Sequence, residues 1–273
     1  MLYTYREAKA IKDPMGKIKN QYCGSMYCSY GYSIFLGNMP APKLHSHHVT
    51  EILIGNKKPV NLITENNTCY EENVLLVGPD VLHTATEIEK EMIIIVLDPE
   101  LELSLKITSK YLGKKDVVPL PVKRDIEAIN LYFNDPTVEN AVKVYTSFIN
   151  SLELTDTNIQ KDSRIMEAVR YIRNLDVKKA STKEIAEHVG LSEGRLTHLF
   201  KEQVGIPIRR YLIWRRINDA IYALLKGKSL TYAAHEAEFA DYAHLSRNFS
   251  NMFGYPISEI IKYTKFFTVE TTP

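Results

Sequence analysis

The sequence has few of the features that stabilise secreted proteins or carry a chain through a membrane. It has three cysteines in 273 residues, too few and oddly numbered for a disulfide framework, and Cys23 and Cys28 lack a zinc-site spacing. The longest apolar run, Met92–Leu97, has six residues, whereas a membrane-spanning helix needs about 20. The N-terminal stretch includes the charged residues Arg6 and Lys9 and has no apolar signal core. These absences predict a cytoplasmic protein without a membrane segment.

Length and composition predict a globular chain with two domains. Hydrophobic residues make up 45% and charged residues 25%, which excludes a disordered or collagen-like chain, and 273 residues exceed one ordinary domain. The net charge of +1 is unevenly distributed: from Lys161 onward 18 Lys and Arg face 13 Asp and Glu, whereas before it 16 face 20. Nine of the 11 arginines lie in the second part, and arginine suits bidentate contacts to phosphate and guanine. The second part is therefore the candidate for nucleic-acid binding.

The two parts differ in their hydrophobic pattern. Between positions 20 and 100, short runs rich in Ile, Val, Leu and Tyr recur about every ten residues, which predicts a β-sandwich or barrel. The predicted strands are Tyr30–Leu36, Glu51–Ile54, Pro59–Thr64, Asn73–Val77 and Met92–Leu97. Apolar residues at three- and four-residue steps then predict two helices, Asp125–Phe133 and Pro136–Leu154, that close the first domain. The polar stretch Thr155–Asp162 has no periodicity and predicts a linker.

The remainder of the chain predicts only helices, and part of its pattern occurs twice. The predicted helices run from Asp162 or Ser163 to Leu175, from Ser181 or Thr182 to His188, from Ser192 to Gln203, from Pro207 to about Gly227, and over Thr231–Ala237, Asp241–Met252 and Pro256–Lys265. Ile185–Leu191 matches Ala233–Phe239 at an offset of 48 residues. The pairs that follow, at an offset of 49, are Leu196 and Leu245, Phe200 and Phe249, Gly205 and Gly254, and Pro207 and Pro256. Each copy has the order of a helix-turn-helix, whose second helix enters the major groove of DNA.

The residues of the two copies match a known two-part signature. The first half comprises Glu184-Ile185-Ala186, Gly190-Leu191-Ser192, Leu199-Phe200-Lys201, Gly205-Ile206-Pro207, Tyr211 and Arg216-Ile217. The second half comprises Phe239-Ala240-Asp241, His244-Leu245-Ser246-Arg247, Phe249, Met252-Phe253-Gly254 and Pro256-Ile257-Ser258. On these motifs, residues 181–265 resemble the double helix-turn-helix domain of the AraC/XylS transcription regulators. The resemblance implies duplex DNA binding through both second helices.

The resemblance also implies which residues contact DNA. The base-reading positions fall on Gly194, Thr197 and His198 in the first recognition helix and on Tyr242, Ala243, Ser246 and Arg247 in the second. Arg195 and Lys201 lie on the outward faces of the first helix and complete the predicted DNA-binding set. Two positions depart from the family pattern: Gly194 offers no side chain to a base, and Glu238 replaces the glycine that normally makes the second turn. A non-glycine residue in a left-handed conformation costs about 1 kcal/mol, so the second turn is expected to be strained or differently shaped.

A second motif lies in the predicted barrel. His45, His47 and Glu51 form an HxHxxxE pattern at the start of a strand, and His83 follows Asp80 further along. The pattern resembles the two-part motif of the cupin barrel, in which histidines and a glutamate converge on a metal, although Asp80 replaces the glycine of the second segment. It also resembles the cupin-like regulatory domains in front of many AraC-type domains. We assign the three histidines and Glu51 to ligand binding, and a divalent transition metal in the same pocket is the alternative.

Together these patterns predict an α+β multidomain protein. Residues 1–155 form a cupin-like β-barrel with two helices, 156–162 a linker, and 163–267 an all-α double helix-turn-helix domain. The expected function is non-enzymatic, sequence-specific transcription regulation in response to a small effector. Expected partners are promoter or operator DNA, the effector, RNA polymerase and a second copy of the chain. The helix Pro136–Leu154 would form the dimer contact, unless its apolar face packs on its own barrel.

Two other functions fit the same pattern. One is a cupin-type metal-dependent enzyme domain fused to a DNA-binding module. The other is an effector-independent DNA-binding dimer. Metal analysis would distinguish the first of these, and a small-molecule stability screen would distinguish the second.

Overall fold

The computed structural model describes residues 3–6, 23–29, 31–85, 91–154, 161–174 and 181–271. The strands are β1 Tyr3–Arg6, β2 Cys23–Ser29, β3 Tyr32–Asn38, β4 Thr50–Gly55, β5 Val60–Thr64, β6 Cys69–Glu72, β7 Val74–Val77, β8 His83–Ala85, β9 Met92–Leu97, β10 Val117–Pro119 and β11 Thr264–Thr271. The helices are α1 Glu102–Ile107, α2 Ile126–Asn134, α3 Val138–Ser151, α4 Ser163–Asn174, α5 Thr182–His188, α6 Glu193–Val204, α7 Ile208–Leu225, α8 Leu230–Glu236, α9 Tyr242–Phe253 and α10 Ile257–Tyr263, and a π-helical turn, Thr108–Leu112, follows α1. Most of the predicted linker, 156–162, lies outside the described residues.

The strands of the N-terminal part form two sheets, which together we call the barrel. The larger sheet has the strand order β1-β11-β2-β3-β9-β4-β7-β10, and the smaller one has the order β6-β5-β8. All five strands expected from the hydrophobic pattern are present, with their ends shifted by a few residues. Alternation along the strands directs Ile34 and Ile95 towards the helices α2 and α3, whereas Phe35 packs with the C-terminal helices on the opposite face. The large sheet therefore separates two hydrophobic cores.

Helix α3 packs its apolar face on the barrel of the same chain. Val138, Ala141, Val144 and Phe148 are buried in one cluster with residues of the large sheet, among them Ile34. The alternative to a dimer contact, that this face packs on its own barrel, is therefore what the structure shows. The homodimer itself stays a prediction.

The C-terminal end of the chain differs from the sequence prediction. The last helix was expected to reach Lys265, but α10 ends at Tyr263 and Thr264–Thr271 forms a strand. This strand runs parallel to β2 and antiparallel to β1. The segment is rich in β-branched and aromatic residues, which favour a strand over a helix. The chain thus returns from the helical part into the large sheet of the barrel.

The helical part forms a single hydrophobic core around the long helix α7. Its largest fully buried side chains include Tyr211 and Phe200, and the single tryptophan, Trp214, is almost buried. Alanines at 186 and 234 are buried on α5 and α8, where small side chains let helices approach closely. Among the described residues, no helix has both the length and the apolar character needed to cross a bilayer.

Candidate nucleic-acid interface and ligand sites

The two helix-turn-helix units have matching helix boundaries. In the first unit, Ser181 and Glu184 form a capping box at the start of α5, and the Ser192 side chain accepts a hydrogen bond from the backbone at the start of α6. In the second unit, the side chains of Ser229 and Asp241 each accept a hydrogen bond from the backbone at the starts of α8 and α9. Such caps satisfy backbone N–H groups at helix starts and fix where each helix begins. Both recognition helices are therefore positioned by local sequence.

The two turns differ at the position noted in the sequence. Gly190 makes the first turn with φ +67°, and Glu238 makes the second with φ +62°. Both are left-handed conformations, which glycine adopts at little cost and glutamate does not. The second turn is therefore left-handed at the same position as the first, in a conformation that costs a non-glycine residue such as Glu238 about 1 kcal/mol.

The outward faces of both recognition helices carry the predicted DNA-binding residues. In α6, Leu196 and Phe200 are buried. The exposed residues of that helix include Gly194, Arg195, Thr197, His198 and Lys201. In α9, Ala243 and Arg247 are exposed, whereas Tyr242 and Ser246 are half-buried. Helix α7, with 18 residues, is about 27 Å long, close to the roughly 34 Å of one DNA turn. The arrangement leaves these residues accessible to a duplex, and their contact with DNA stays a prediction.

The predicted ligand residues of the barrel lie together. His45, His47 and His83 are buried, and each offers a ring nitrogen within 4.8 Å of the others. Nε2 of His47 lies 3.0 Å from Glu51 Oε2, and Nε2 of His83 lies 3.2 Å from the same oxygen. We call these four residues the histidine cluster. The spacing in the sequence therefore predicted a real juxtaposition, although their role as a ligand site stays untested.

The hydrogen bonds of the three rings direct their second nitrogens towards one another. Nδ1 of His45 lies 2.9 Å from the carbonyl oxygen of Lys43, and Nδ1 of His47 lies 3.0 Å from that of Val49. Nδ1 of His83 lies 2.9 Å from the carbonyl oxygen of Val81. Because a carbonyl only accepts, each Nδ1 carries the proton and each Nε2 of a neutral ring offers a lone pair.

The donor set of the histidine cluster fits a divalent transition ion. Three imidazole nitrogens and one carboxylate suit such an ion, and metal-binding histidines characteristically donate their other N–H to a carbonyl. Burial lowers the pKa of His45 to about 4, with smaller contributions from His83 and His47. Burial opposes the charged form of Glu51, but the charges and hydrogen bonds of His47 and His83 outweigh it and hold the pKa of Glu51 well below its usual range. The cluster thus contains a buried carboxylate paired with two histidine rings.

Comparison with known proteins agrees with the geometry of the helical part. A family model described as a helix-turn-helix domain matches residues 185–263. The arabinose operon regulatory protein of Escherichia coli (strain K12) is 32% identical over 100 residues, which are 36% of this chain and 34% of that protein. Residues 185–263 form an AraC-type helix-turn-helix domain. The transcriptional regulator MxiE of Shigella flexneri is 26% identical over 88 residues, 32% of this chain and 42% of that protein. The matched segments thus span less than half of these curated relatives.

Solved structures share the fold of this chain over most of its length. ToxT from Vibrio cholerae O395 aligns over 85% of this chain and 97% of its own, with a TM-score of 0.56 and 16% identity. A structure of ToxT with a bound unsaturated fatty acid aligns over 85% and 95%, with a TM-score of 0.54 and 15% identity. At this identity the similarity concerns the fold.

A buried ion cluster joins the barrel to the AraC-type domain. The guanidinium of Arg173 contacts Glu100, with Nε 2.9 Å from Oε1, and its Nη2 lies 3.2 Å from Asp98 Oδ2. Tyr211 donates its hydroxyl to Glu100 Oε1 at 2.6 Å, and Trp214 donates Nε1–H to Asp98 Oδ1 at 3.0 Å. The side chains of Arg173, Asp98 and Glu100 are 7%, 8% and 4% exposed. We call these five residues the interdomain ion cluster.

Burial changes the ionisation of the interdomain ion cluster. Desolvation and the neighbouring charge of Glu100 raise the pKa of Asp98 to about 7, against the opposing effect of Arg173. Burial also raises the pKa of the Tyr211 hydroxyl well above its usual range, so that it remains a donor. One guanidinium therefore faces two carboxylates, and Asp98 holds its proton more readily than an exposed aspartate would.

An interdomain cavity of about 290 Å³ adjoins this cluster. Its walls are mostly apolar and come from strands β2, β3 and β9 on one side and from α7, α9 and α10 on the other. Ser29 Oγ and Arg215 Nε lie in residues that line the cavity, and among the described residues neither atom has a hydrogen-bond partner. A smaller cavity of about 90 Å³ lies beside the histidine cluster. Of these two cavities, the larger one therefore lies between the domains.

The barrel also contacts the end of the second recognition helix. The backbone N–H of Lys43 donates to Gly254 O at 3.0 Å, and that of Ser46 donates to Asn251 O at 3.3 Å. Tyr255 is hydrogen-bonded through its hydroxyl to the carbonyl oxygen of Pro40. The segment that carries His45 is therefore fixed to the C-terminal end of α9.

Several residues of these interdomain sites were not found from the sequence. Asp98 and Glu100 follow the apolar strand β9, where charges normally mark a turn to solvent, and their burial results from tertiary packing. Asp80, which stands where the family pattern has a glycine, has φ +64°. Its Oδ1 lies 2.6 Å from His48 Nδ1, and its Oδ2 lies 2.6 Å from Arg210 Nη1. The signal in the sequence is the excess of arginine in the second part, which equally predicts contacts to DNA.

Proposed function

We propose that the protein is a sequence-specific DNA-binding transcription regulator whose barrel controls its AraC-type domain by binding a small effector. The observation that supports this most is the repeated helix-turn-helix with polar outward faces on both recognition helices. A helical bundle with a purely structural role needs neither the repeat nor two such faces. The proposed activity requires no chemical step, so we assign no catalytic residue.

The interdomain cavity supports an amphipathic carboxylic acid as the effector. Its apolar walls suit a hydrocarbon chain, and the unpartnered Nε–H of Arg215 and hydroxyl of Ser29 suit a carboxylate. Its volume of about 290 Å³ is at the small end for ligand sites, which favours a medium chain. ToxT, a protein of the same fold, has been solved with a bound unsaturated fatty acid. The histidine cluster remains the candidate for a second ligand.

A ligand between the domains would act through a difference in affinity between two domain arrangements. A coupling free energy of about 1–3 kcal/mol changes DNA affinity by roughly 5- to 150-fold. The cavity has walls from both the barrel and α7, so a bound molecule contacts both domains at once. In this geometry, the arrangement of the two domains would depend on whether the interdomain cavity is occupied.

Selection of bound sequences from a random duplex library by the full-length protein tests DNA binding. We expect an enriched motif with two parts about one helical turn apart and an affinity that falls steeply with salt. Arg247→Ala should weaken binding to that motif by roughly tenfold or more, because a base contact contributes about 1–3 kcal/mol. Lys143→Ala, an exposed cation on α3 of the barrel, is the control. No enrichment at low salt would contradict the proposal.

Thermal unfolding with decanoate, and with decanol as the uncharged control, tests the effector class. We expect decanoate to raise the midpoint more than decanol, and Arg215→Met to remove the difference. Arg209→Met, at an exposed position of the same helix, should keep it. Equal shifts for acid and alcohol would contradict a carboxylate site while leaving DNA binding unaffected. An effector-independent regulator would show neither shift, and an enzyme would convert its ligand.

The remaining partner assignments are proposals of the same kind. A homodimer would double the number of recognition helices on one operator, and sedimentation at micromolar concentration measures it directly. Contact with RNA polymerase is supported if the DNA-bound protein activates transcription from a purified promoter.

A further inference from the structure

The first helices of the two helix-turn-helix units differ in one side chain of their first turn. In the first unit, Glu184 completes the capping box of α5, because its Oε2 accepts hydrogen bonds from the backbone N–H and the hydroxyl of Ser181 at 2.8 and 2.9 Å. In the second unit, the matching position is Tyr232, whose backbone N–H donates to Ser229 Oγ at 3.2 Å. A tyrosine has no carboxylate with which to complete a capping box. The second unit therefore carries an aromatic ring where glutamate would stabilise the helix better.

Tyr232 is exposed and lies against a lysine. It is 48% exposed, whereas the neighbouring Ala233 and Ala234 of α8 are buried. Nζ of Lys228 lies 4.8 Å from the centroid of the tyrosine ring, a distance at which a cation and a ring attract each other. Lys228 is exposed as well. Core packing therefore does not account for this pair, which presents an ammonium group and a phenolic hydroxyl on the surface of the second unit.

The place of the pair in the helix-turn-helix unit fits a contact with DNA phosphate. When such a unit docks, its second helix enters the major groove and its first helix crosses the sugar-phosphate backbone. Lysine and tyrosine side chains both donate hydrogen bonds to phosphate oxygens. Lys228 and Tyr232 lie at the start of α8, the first helix of the second unit. The carboxylate of Glu184 at the matching position of the first unit would instead repel a phosphate.

We propose that Lys228 and Tyr232 bind the DNA phosphate backbone, so that the second unit holds the protein on a duplex independently of its sequence. The inference rests on the proposed DNA-binding function and adds a phosphate contact to the residues expected from the repeat. The lysine supplies the charge, and the tyrosine supplies a hydroxyl donor. Because the two side chains already lie against each other, less conformational entropy is lost when both meet a phosphate.

The salt dependence of duplex binding by the full-length protein tests the phosphate contact. In Lys228→Gln, the slope of log affinity against log salt concentration should be less steep by about one, because one phosphate contact releases about 0.9 counterion. At about 0.1 M salt this corresponds to a loss of roughly five- to tenfold, equal for the selected motif and for a shuffled duplex. Lys143→Gln, an exposed cation on α3, should leave slope and affinity unchanged. The same slope in Lys228→Gln as in the wild-type protein would overturn the proposal.

Tyr232→Glu separates a phosphate contact from a structural role. The substitution gives the second unit the Ser-x-x-Glu pattern of the first, so the melting temperature should stay the same or rise. DNA affinity should nevertheless fall by about tenfold or more, because a carboxylate then faces the phosphate. Tyr232→Phe removes only the hydroxyl and should weaken binding by about two- to tenfold. A lower melting temperature with unchanged DNA affinity in Tyr232→Glu would show a packing role and overturn the proposal.

The same measurements distinguish failure of this inference from failure of the proposed function. If the wild-type protein binds no duplex at low salt, both are wrong. If it binds a selected motif, and Lys228→Gln and Tyr232→Glu bind that motif as tightly and with the same salt dependence, only the phosphate contact of the second unit is wrong.

Discussion

Replacing Arg173 should destabilise the contact between the barrel and the AraC-type domain. The effect should be far larger than that of replacing Arg170, an exposed arginine on the same helix. Arg173 is the cation that contacts both buried carboxylates, Asp98 and Glu100, and all three side chains are less than a tenth exposed. Removal of one partner from a buried ion pair costs about 3–5 kcal/mol because the remaining charge is left buried and uncompensated. We therefore expect Arg173→Met to lower the free energy of unfolding by about that amount.

Arg170 provides a matched control on the same helix. It pairs with Glu167, but the two side chains are 67% and 38% exposed. Exposed pairs contribute about 0–1 kcal/mol, so Arg170→Met should have little effect. Trp214 is the only tryptophan and lies in the interdomain ion cluster, so its fluorescence during urea unfolding reports on this joint directly. Equal unfolding midpoints for Arg173→Met and Arg170→Met would refute the reasoning, whereas partial recovery in Arg173→Met with Glu100→Gln would support it.

Changes at Asp98, Gly254 and Glu238 should each alter the stability of the protein in a measurable way. The pKa of Asp98 is raised to about 7 from 3.8, so the folded state binds more protons than the unfolded state between these values, and the free energy of unfolding should fall as pH rises from about 4 to about 7. The groups that face Asp98 are Glu100, Arg173, Arg215 and Trp214, and Asp98→Asn should remove this part of the pH dependence in urea unfolding. Gly254→Ala should destabilise the protein at least twice as much as Gly205→Ala, because a Cβ at 254 would lie 2.6 Å from Lys43 O, whereas the one at 205 meets nothing within 4 Å among the described atoms. Glu238→Gly should stabilise the protein by up to about 1 kcal/mol and Gly190→Ala should destabilise it similarly, as measured by thermal unfolding; opposite signs would refute the strain at 238.

The recognition helices could be predicted because their determinants are local. Ser181, Ser192 and Asp241 are caps that act within one helical turn, and the buried positions recur at helical spacing. The histidine cluster could be predicted for a related reason. Period-two geometry places His45 and His47 on one side of an extended segment, and strand pairing then brings in His83.

The interdomain sites could not be predicted because they depend on contacts between distant residues. Asp98 and Arg173 are 75 positions apart, and neither has a sequence context that indicates burial. The strand β11 was missed for a different reason. Its β-branched and aromatic residues indicate a strand locally, but the preceding helical repeat favoured a continued helix, and only the unpaired edge of β2 decides between them.

The two helix-turn-helix units are alike in sequence but differ in how they are attached to the barrel. The second unit is followed directly by β11, which pairs with β2, and its α9 ends in hydrogen bonds to Lys43 and Ser46. The first unit is connected to the barrel through α4 and α7. These helices contribute Arg173 and Tyr211 to the interdomain ion cluster, and both residues bond to Glu100. A ligand in the interdomain cavity would contact both attachments, because the walls include Arg173 of α4 and Trp214 of α7 as well as Phe249 and Phe253 of α9. In the proposed regulator, occupancy of this cavity therefore acts on the attachments of both recognition helices, and the relative placement of those helices determines which operators the protein can bind.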